Sequence, residues 1–518
     1  MKNGKFLKTV LRMAACVAIL ALGAAPARSA SIIFVSNAAE IRAAMGSAQA
    51  GDTLVMRNGV WMSQDIIFEG HGAPDAPITL RAETPGQVLL TGASRLRIGG
   101  SHLVVDGLYF KDGSLNQFGT NIAVVEFRAA FAREAYFCRL TNSVIENYNP
   151  PPPIDMSNQY KWVSLYGAWN RVDHCTFKGK TNIGSLLTVV RATSEPQYHL
   201  IEHNHFADRE PLGRDPATGN LFNGGEIIRI GDSAQSLSDS FTRVESNLFE
   251  RCNGEIEIVS SKSGGNAFRY NTFRKSQGTL TLRHGNGALV EGNFFLGENE
   301  PDTGGIRVIG EDHVLINNYF SGIAGARDNW RAAVTLANGR VDSPLSGYFQ
   351  VKRALIAHNT FVGNERNIIV GGGRSELLSL APEGCSLVNN VVVKVELPRD
   401  HCLIQVVDEG SDIVYRGNIM YGGSPPDGIC LGLSPAPDGI MVVDPGLAPS
   451  EDGLHRPVPG SPLIDGAGDE YPEISTDMDG QPRQDGRKDV GADEVSPAPS
   501  TRRPLTAQDV GAEWARQP

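Results

Sequence analysis

One short phrase recurs along this 518-residue chain. An apolar residue is followed by two free positions, an asparagine, one more free position, and then phenylalanine or an aliphatic. It occurs around Asn204, Asn247, Asn271, Asn293, Asn318, Asn359 and Asn390, and with one extra residue around Asn418. From Asn247 the next three asparagines follow after 24, 22 and 25 residues. A period in the low twenties, carried on short alternating runs of Val, Ile, Leu and Phe, fits stacked coils of β-strand. One such coil cannot bury its apolar side alone, so neighbours must stack and share a continuous core. Asparagine at a fixed turn position tolerates left-handed backbone and can hydrogen-bond along a ladder of its own kind. Leucine-rich repeats share the period but need regularly spaced leucines and a helical segment, which these units lack. With 58 glycines and few helical periodicities, the chain is predicted to be all-β, a right-handed parallel β-helix.

The ends are read accordingly. Residues 1–30 have Lys2, Lys5, Lys8 and Arg12, then an apolar run from Met13 to Leu22, then small residues. That is the pattern of a secretory signal peptide, with a run too short to span a bilayer. Residues 31–495 form the solenoid domain, opened by a short capping helix over Ala38–Ala48 behind Asn37 and closed by a loop-rich segment from Gly460 to Glu494. Residues 496–518 are expected to be a flexible C-terminal tail. The signal segment carries five basic side chains and no acidic one, so the formal net charge of −11 becomes −16 without it. Such a surplus excludes general binding to nucleic acid or anionic membrane. The product is expected to be exported, periplasmic or secreted, without a membrane anchor, and monomeric. Six widely spaced cysteines fit neither a zinc pattern nor a disulfide scaffold. Cys402–Cys430 is the nearest pair for a bridge, and thiols stacked in the core are the alternative.

Chemistry concentrates between Asn253 and Arg283. On a strand, i and i+2 share a face, so Glu255 and Glu257 are expected to point outward together while Ile256 and Ile258 enter the core. Aligning glycines sets Thr281 and Arg307 in the column of Glu257, with Leu280, Leu282, Ile306 and Val308 stacked inside. Exposed Glu/Arg columns on solenoids are commonly ion-pair ladders, worth roughly 0–1 kcal/mol per pair. Here the two glutamates repel unless something positive lies between them. Arg307 could serve, and so could Ca²⁺, which takes six to eight oxygens.

The predicted β-helix, its N-terminal cap, and the run NGEIEIVSSKSG followed by TLTLRHG resemble polysaccharide lyase family 6, which includes alginate lyases and chondroitinase B. The resemblance implies Lys262 as Brønsted base and Arg283 as acid. It implies Glu255 and Glu257 as calcium ligands, with Asn223 as the third and Glu226 as the alternative to it. The implied reaction is β-elimination on a uronate. Ca²⁺ neutralises the carboxylate beside C5, Lys262 takes the C5 proton, and Arg283 assists departure of the C4 oxygen, leaving a C4=C5 double bond. The expected partner is an acidic polysaccharide, alginate in preference to dermatan sulfate; a non-catalytic carbohydrate-binding solenoid is the reading outside enzymology. No aspartate pair sits on a strand beside His284-Gly285, which disfavours a glycoside hydrolase. Arg307 is set to grip a substrate carboxylate or to pair with Glu257, and His284 to donate a hydrogen bond or carry a proton. Trp330, in the long insertion between Asn318 and Asn359, is set to stack on a sugar or to pack its loop. The insertions 149–153 and 209–220 could wall a cleft, and Asp477–Gly480 reads as a solvated closing turn more than a cation site.

Overall fold

A computed structural model describes residues 29–516 except 153–155, 216–217, 220, 326–327, 395–402, 423–437, 469–470, 472 and 484–485. The predicted signal segment up to residue 28 and the Cys402–Cys430 pair lie outside the described residues. Among the described residues, three sheets of 14 strands each run the length of the molecule. Through the middle of the molecule each coil gives one strand to each, and consecutive coils pair in parallel along all three. The chain passes from the first sheet (Arg243–Glu245, Ala267–Arg269) through the asparagine corner into the second (Leu248–Cys252, Thr272–Arg274). It then crosses to the third, which holds Ile228–Ile230, Glu257–Lys262, Gly278–His284 and Thr303–Val308. The right-handed parallel β-helix expected from the repeat is the fold.

The repeat's two fixed residues build two ladders. Asn204, Asn247, Asn271, Asn293, Asn318, Asn359, Asn390 and Asn418 are all buried. Each Nδ2 donates to the Oδ1 of the next at 2.9–3.0 Å, and each backbone N–H donates to the same oxygen. The carboxamide thus satisfies the polar backbone at a corner where sheet hydrogen bonding stops. Beside it Phe206, Phe249, Phe273, Phe295, Phe320 and Phe361 stack with centroids 4.5–5.0 Å apart. Cys138, Cys175, Cys252 and Cys385 are buried free thiols in this core.

At the N-terminal end a strand, Ile32–Val35, precedes the capping helix. The helix spans Ala38–Met45, with the Asn37 side chain accepting from the Glu40 N–H and Ile41 buried on the first coil. The C-terminal end corrects two expectations. Asp477, Asp479 and Asp493 are buried, not solvated, with carboxylate oxygens within 4.8 Å of one another. Arg456 Nη1 lies 2.6 Å from both Asp479 and Asp493 and supplies their counter-charge. Residues 496–516 are not a free tail: they run back along the corner between the first and second sheets. Leu505 N–H donates to Thr272 Oγ1, Gly511 N–H to the His203 carbonyl and Trp514 Nε1–H to the Asn142 carbonyl, each at 2.8 Å. Apolar residues at the end of this segment, Val510 and Ala512, are buried in the contact. A Pro/Ser/Arg-rich composition does not reveal such docking.

Candidate active site

Glu255 and Glu257 stand where the Asn253-Gly254 turn enters the third sheet, and the pairing there is irregular. Glu257 pairs with Thr279, but Val259 pairs with Leu280 and Ser260 with Thr281, so the register shifts between Glu257 and Val259. Val259, not Ile256, takes the core position between Ile228 and Leu280. Ile258 is buried as expected, while Ile256 faces the cavity. The column holding Thr281 and Arg307 consequently belongs to Ser260, with Arg229 on the coil before. An inserted residue of this kind re-aims a side chain, and here it turns both glutamates into one hollow. The turn before it, Asn223-Gly-Gly, is pressed against Gly254: a Cβ on Gly225 would lie 2.6 Å from the Gly254 carbonyl carbon.

The hollow has a volume of about 480 Å³, and Asn223, Glu255, Glu257, Lys262 and Arg283 all line it. Pro211, Leu212, Gly213, Leu221 and Phe222 form one wall, so the insertion at 209–220 does border the cleft. Tyr348 and Arg331, from the insertion after Asn318, border the opposite side.

Charges in the hollow are unevenly compensated. Burial, with Glu226 and Glu257 adding like charge, pushes the Glu255 carboxyl up to about 8, although the Gly224 N–H donates to it at 3.1 Å. Glu257 goes the other way. Burial acts to raise it, but Arg307, Lys262, the Ser260 hydroxyl and Arg283 together hold it below the usual carboxylate range. Arg307 Nη2 bonds Glu257 Oε1 directly, and Arg283 Nε lies 3.7 Å from the same oxygen. Behind the glutamates Arg209 is wholly buried, with Nη2 donating to the carbonyls of Asn182, Gly184 and Gly224. Asn223 contributes an amide oxygen and Glu255 and Glu257 carboxylates, an all-oxygen set of the type that suits a hard cation. The like-charge pressure on Glu255 is what such an ion would relieve, so these residues fit Ca²⁺. Glu226, the alternative ligand, is 1% exposed and is not among the residues lining the hollow.

Arg283 is held rigidly. Its Nη1 and Nη2 donate to the carbonyls of Gly347 (2.6 Å) and Ser346 (3.1 Å), and its guanidinium lies 4.1 Å over the Tyr348 ring. Burial lowers it from the usual arginine value. His284 is buried, and burial with the neighbouring Arg283 and Lys262 pushes it down to about 3, leaving a neutral ring that does not border the hollow. Arg307 is 3% exposed and pairs with Glu257, which is the second of its two expected roles. Trp330 likewise packs its loop: it lies under the Arg307 guanidinium at 5.4 Å and against Tyr348 at 5.7 Å. Tyr348 was missed, although it sits in the insertion that drew attention to Trp330.

Comparison with known proteins gives a consistent picture. The Chondroitinase B family profile matches residues 35–416. Among solved structures, the PL6 family alginate lyase AlyGC is 36% identical with a TM-score of 0.75, covering 91% of this chain and 59% of its own. An arginine-to-alanine variant of that enzyme gives 34%, 0.79, 94% and 59%. A mannuronic acid specific family 6 lyase from human gut microbiota is 29% identical with a TM-score of 0.68, over 80% of this chain and 91% of its own. The chain therefore spans about 59% of the length of AlyGC. No curated protein matches it by sequence.

Proposed function

Because the chain belongs to polysaccharide lyase family 6, the family that includes chondroitinase B, we propose that it is an exported lyase cleaving alginate by β-elimination. The observation that carries this reading is the meeting of Asn223, Glu255, Glu257, Lys262 and Arg283 around one hollow. Lys262 Nζ accepts the proton from C5 of the uronate. The electron pair of the C5–H bond forms the C4=C5 double bond, the C4–O bond breaks, and Arg283 acts as the acid, giving the departing oxygen its proton directly or through a water molecule that it polarises. Arg283 suits that task because loop carbonyls and Tyr348 fix its position before substrate arrives, so no reorganisation accompanies the reaction. Asn223, Glu255 and Glu257 would hold Ca²⁺, which when bound offsets the negative charge of the substrate carboxylate and acidifies C5–H. Arg307 keeps Glu257 ionised and oriented.

Incubation with alginate, dermatan sulfate and pectate tests the reading, with the ultraviolet absorbance of the unsaturated product as signal. Alginate is expected to give it, and silence from all three would sink the lyase assignment. The match to the Chondroitinase B profile supports dermatan sulfate as the second reading, which the same assay decides. Chelation should abolish activity; activity persisting in EDTA would remove calcium from the mechanism.

A further inference from the structure

Around the corner from the hollow, where the third sheet turns into the first, a row of aromatic side chains stands on the surface. His102, Phe137, Trp169, Tyr198 and Phe241 occupy the same corner position on successive coils. Their rings stack in sequence with centroids 5.1, 6.0, 4.3 and 5.3 Å apart and planes within 14° of parallel. Half of Phe137 and Trp169 and more than a third of Tyr198 and Phe241 remain exposed. All five adopt φ between 52° and 60°, a left-handed conformation unfavourable for bulky residues. Later coils place Gly265 and Gly287 at this corner, which meets the same backbone demand without strain. The aromatic row stops at the coil that carries Lys262, and its last ring packs on Gly265, three residues beyond that lysine.

Beside the row lies a groove of about 550 Å³ bordered by Trp169, Tyr198 and Phe241 on one side and by Arg171, Arg243 and Arg269 on the other. No carboxylate is among the described residues bordering it. The acids of the neighbouring column hold two of the arginines from behind: Arg171 with Asp173 and Glu202 at 2.8 Å, and Arg269 with Glu291 at 3.1 Å. Arg243 is the least engaged, 4.0 Å from Glu245 and 52% exposed. Since the ring faces are occupied by one another, the row offers its edges to the groove, and the edge is the electropositive part of an aromatic ring. Guanidinium groups and aromatic edges on a chain of strongly negative net charge make a local site for an anion that is also apolar in part. A uronate polysaccharide, with carboxylates spaced along C–H-rich rings, has that chemistry.

We propose that this groove is a second binding surface for the uronate polysaccharide, separate from the hollow, which holds the enzyme on its polymer. The inference rests on the uronate substrate proposed above. The test uses the full chain carrying Lys262→Ala, drawn by electrophoresis through gels containing alginate, with Arg243→Gln and Tyr198→Asn added singly and together. Arg243 is half exposed and weakly paired, and asparagine tolerates left-handed backbone, so both variants should fold. Each is expected to weaken retardation by alginate about threefold or more. In the active chain that keeps Lys262, each should raise KM for polymer while kcat for short oligouronates stays unchanged. Retardation and polymer KM equal to the parent would overturn the inference and leave the row a purely structural ladder. No retardation of the parent by alginate would overturn it as well. Retardation that the groove variants weaken, in a protein that cleaves no polymer, would support the surface and sink the lyase reading alone.

Discussion

Glu257 takes Arg307 and Arg283 on one oxygen and the Ser260 hydroxyl on the other. Lys262 lines the hollow beside this group, so its loss removes a proton acceptor more than a structural tie. Lys262→Ala should therefore cut turnover by about 10²–10⁴-fold, the usual worth of a positioned base, with little change in melting temperature. A product signal near that of the parent enzyme would show that another group takes the proton. Arg307→Ala should behave in the opposite way. It leaves a buried carboxylate without its closest partner, a change that typically costs about 3 kcal/mol or more, and thermal unfolding should report it directly. Asn223, Glu255, Glu257, Lys262 and Arg283 were picked out by the resemblance to the family pattern; strand alternation alone suggested only that Glu255 and Glu257 share a face, and it wrongly sent Ile256 into the core. The register shift at Glu257–Val259 was not legible, since an inserted residue leaves the apolar pattern looking regular. Tyr348 was invisible for another reason: it reaches Arg283 from 65 positions away, on an insertion that obeys no period.

Two corner ladders hold the coils, and each makes a prediction. Asn293 donates to the Phe268 carbonyl and Asn318 Oδ1, and accepts from both the N–H and the side chain of Asn271. Asn293→Ala strands several of these buried groups, each worth about 1–3 kcal/mol when unpaired, so a loss of at least about 3 kcal/mol is expected in denaturant unfolding. The other ladder, at the corner between the third and first sheets, uses mixed residues. Asn170 Oδ1 accepts from the Cys138 N–H, His199 Nδ1 from the Asn170 N–H, Asn266 Oδ1 from the Thr242 N–H, and His313 Nδ1 from the Ala288 N–H. A histidine whose Nδ1 accepts must be neutral, and burial pushes His199 down to about 3 and His313 down to about 4. An unfolded imidazole protonates near 6.5. Between that value and about 4 the unfolded chain binds protons the folded one refuses, so stability is complete above pH 6.5 and falls as the pH drops through the window. His313→Asn keeps the acceptor and removes the titration. Circular dichroism across a pH series should place its acid midpoint lower than that of the parent chain. The asparagine ladder could be read from the sequence because one residue type repeats. This second ladder could not, because Asn and His share only an acceptor atom, which residue identity does not announce.

At the scale of the whole molecule, a solenoid is quasi-one-dimensional: each coil touches its neighbours, and local loss of order can propagate without the rest. The segment 496–516 breaks that rule. It leaves the C-terminal closure with the Thr501 and Arg502 N–H groups on the Asp479 carbonyl. It crosses Tyr270, with the Arg502 guanidinium 3.6 Å over the ring, and then His203 and Thr176. It ends with Trp514 edge-on to Tyr109 at 5.3 Å and packed on Gly86, where a Cβ would come within 2.4 Å of the indole. Coils remote along the axis are thereby tied by one chain, on a corner away from the hollow on the third sheet. Such a tie couples coils that nearest-neighbour contacts leave independent, and so it should make unfolding more cooperative as well as harder. Removing residues 496–518 is expected to lower the melting temperature and broaden the transition. The early coils, around Tyr109 and Asn142, should become the first sites of proteolysis, while kcat/KM on polymer stays within about twofold, because none of the described residues of the segment lines the hollow. Trp514→Ala should reproduce the proteolytic exposure at the N-terminal end alone, since it frees only the last anchor. A deletion that melts at the parent temperature with an equally sharp transition would mean that the coils already unfold as one unit without it.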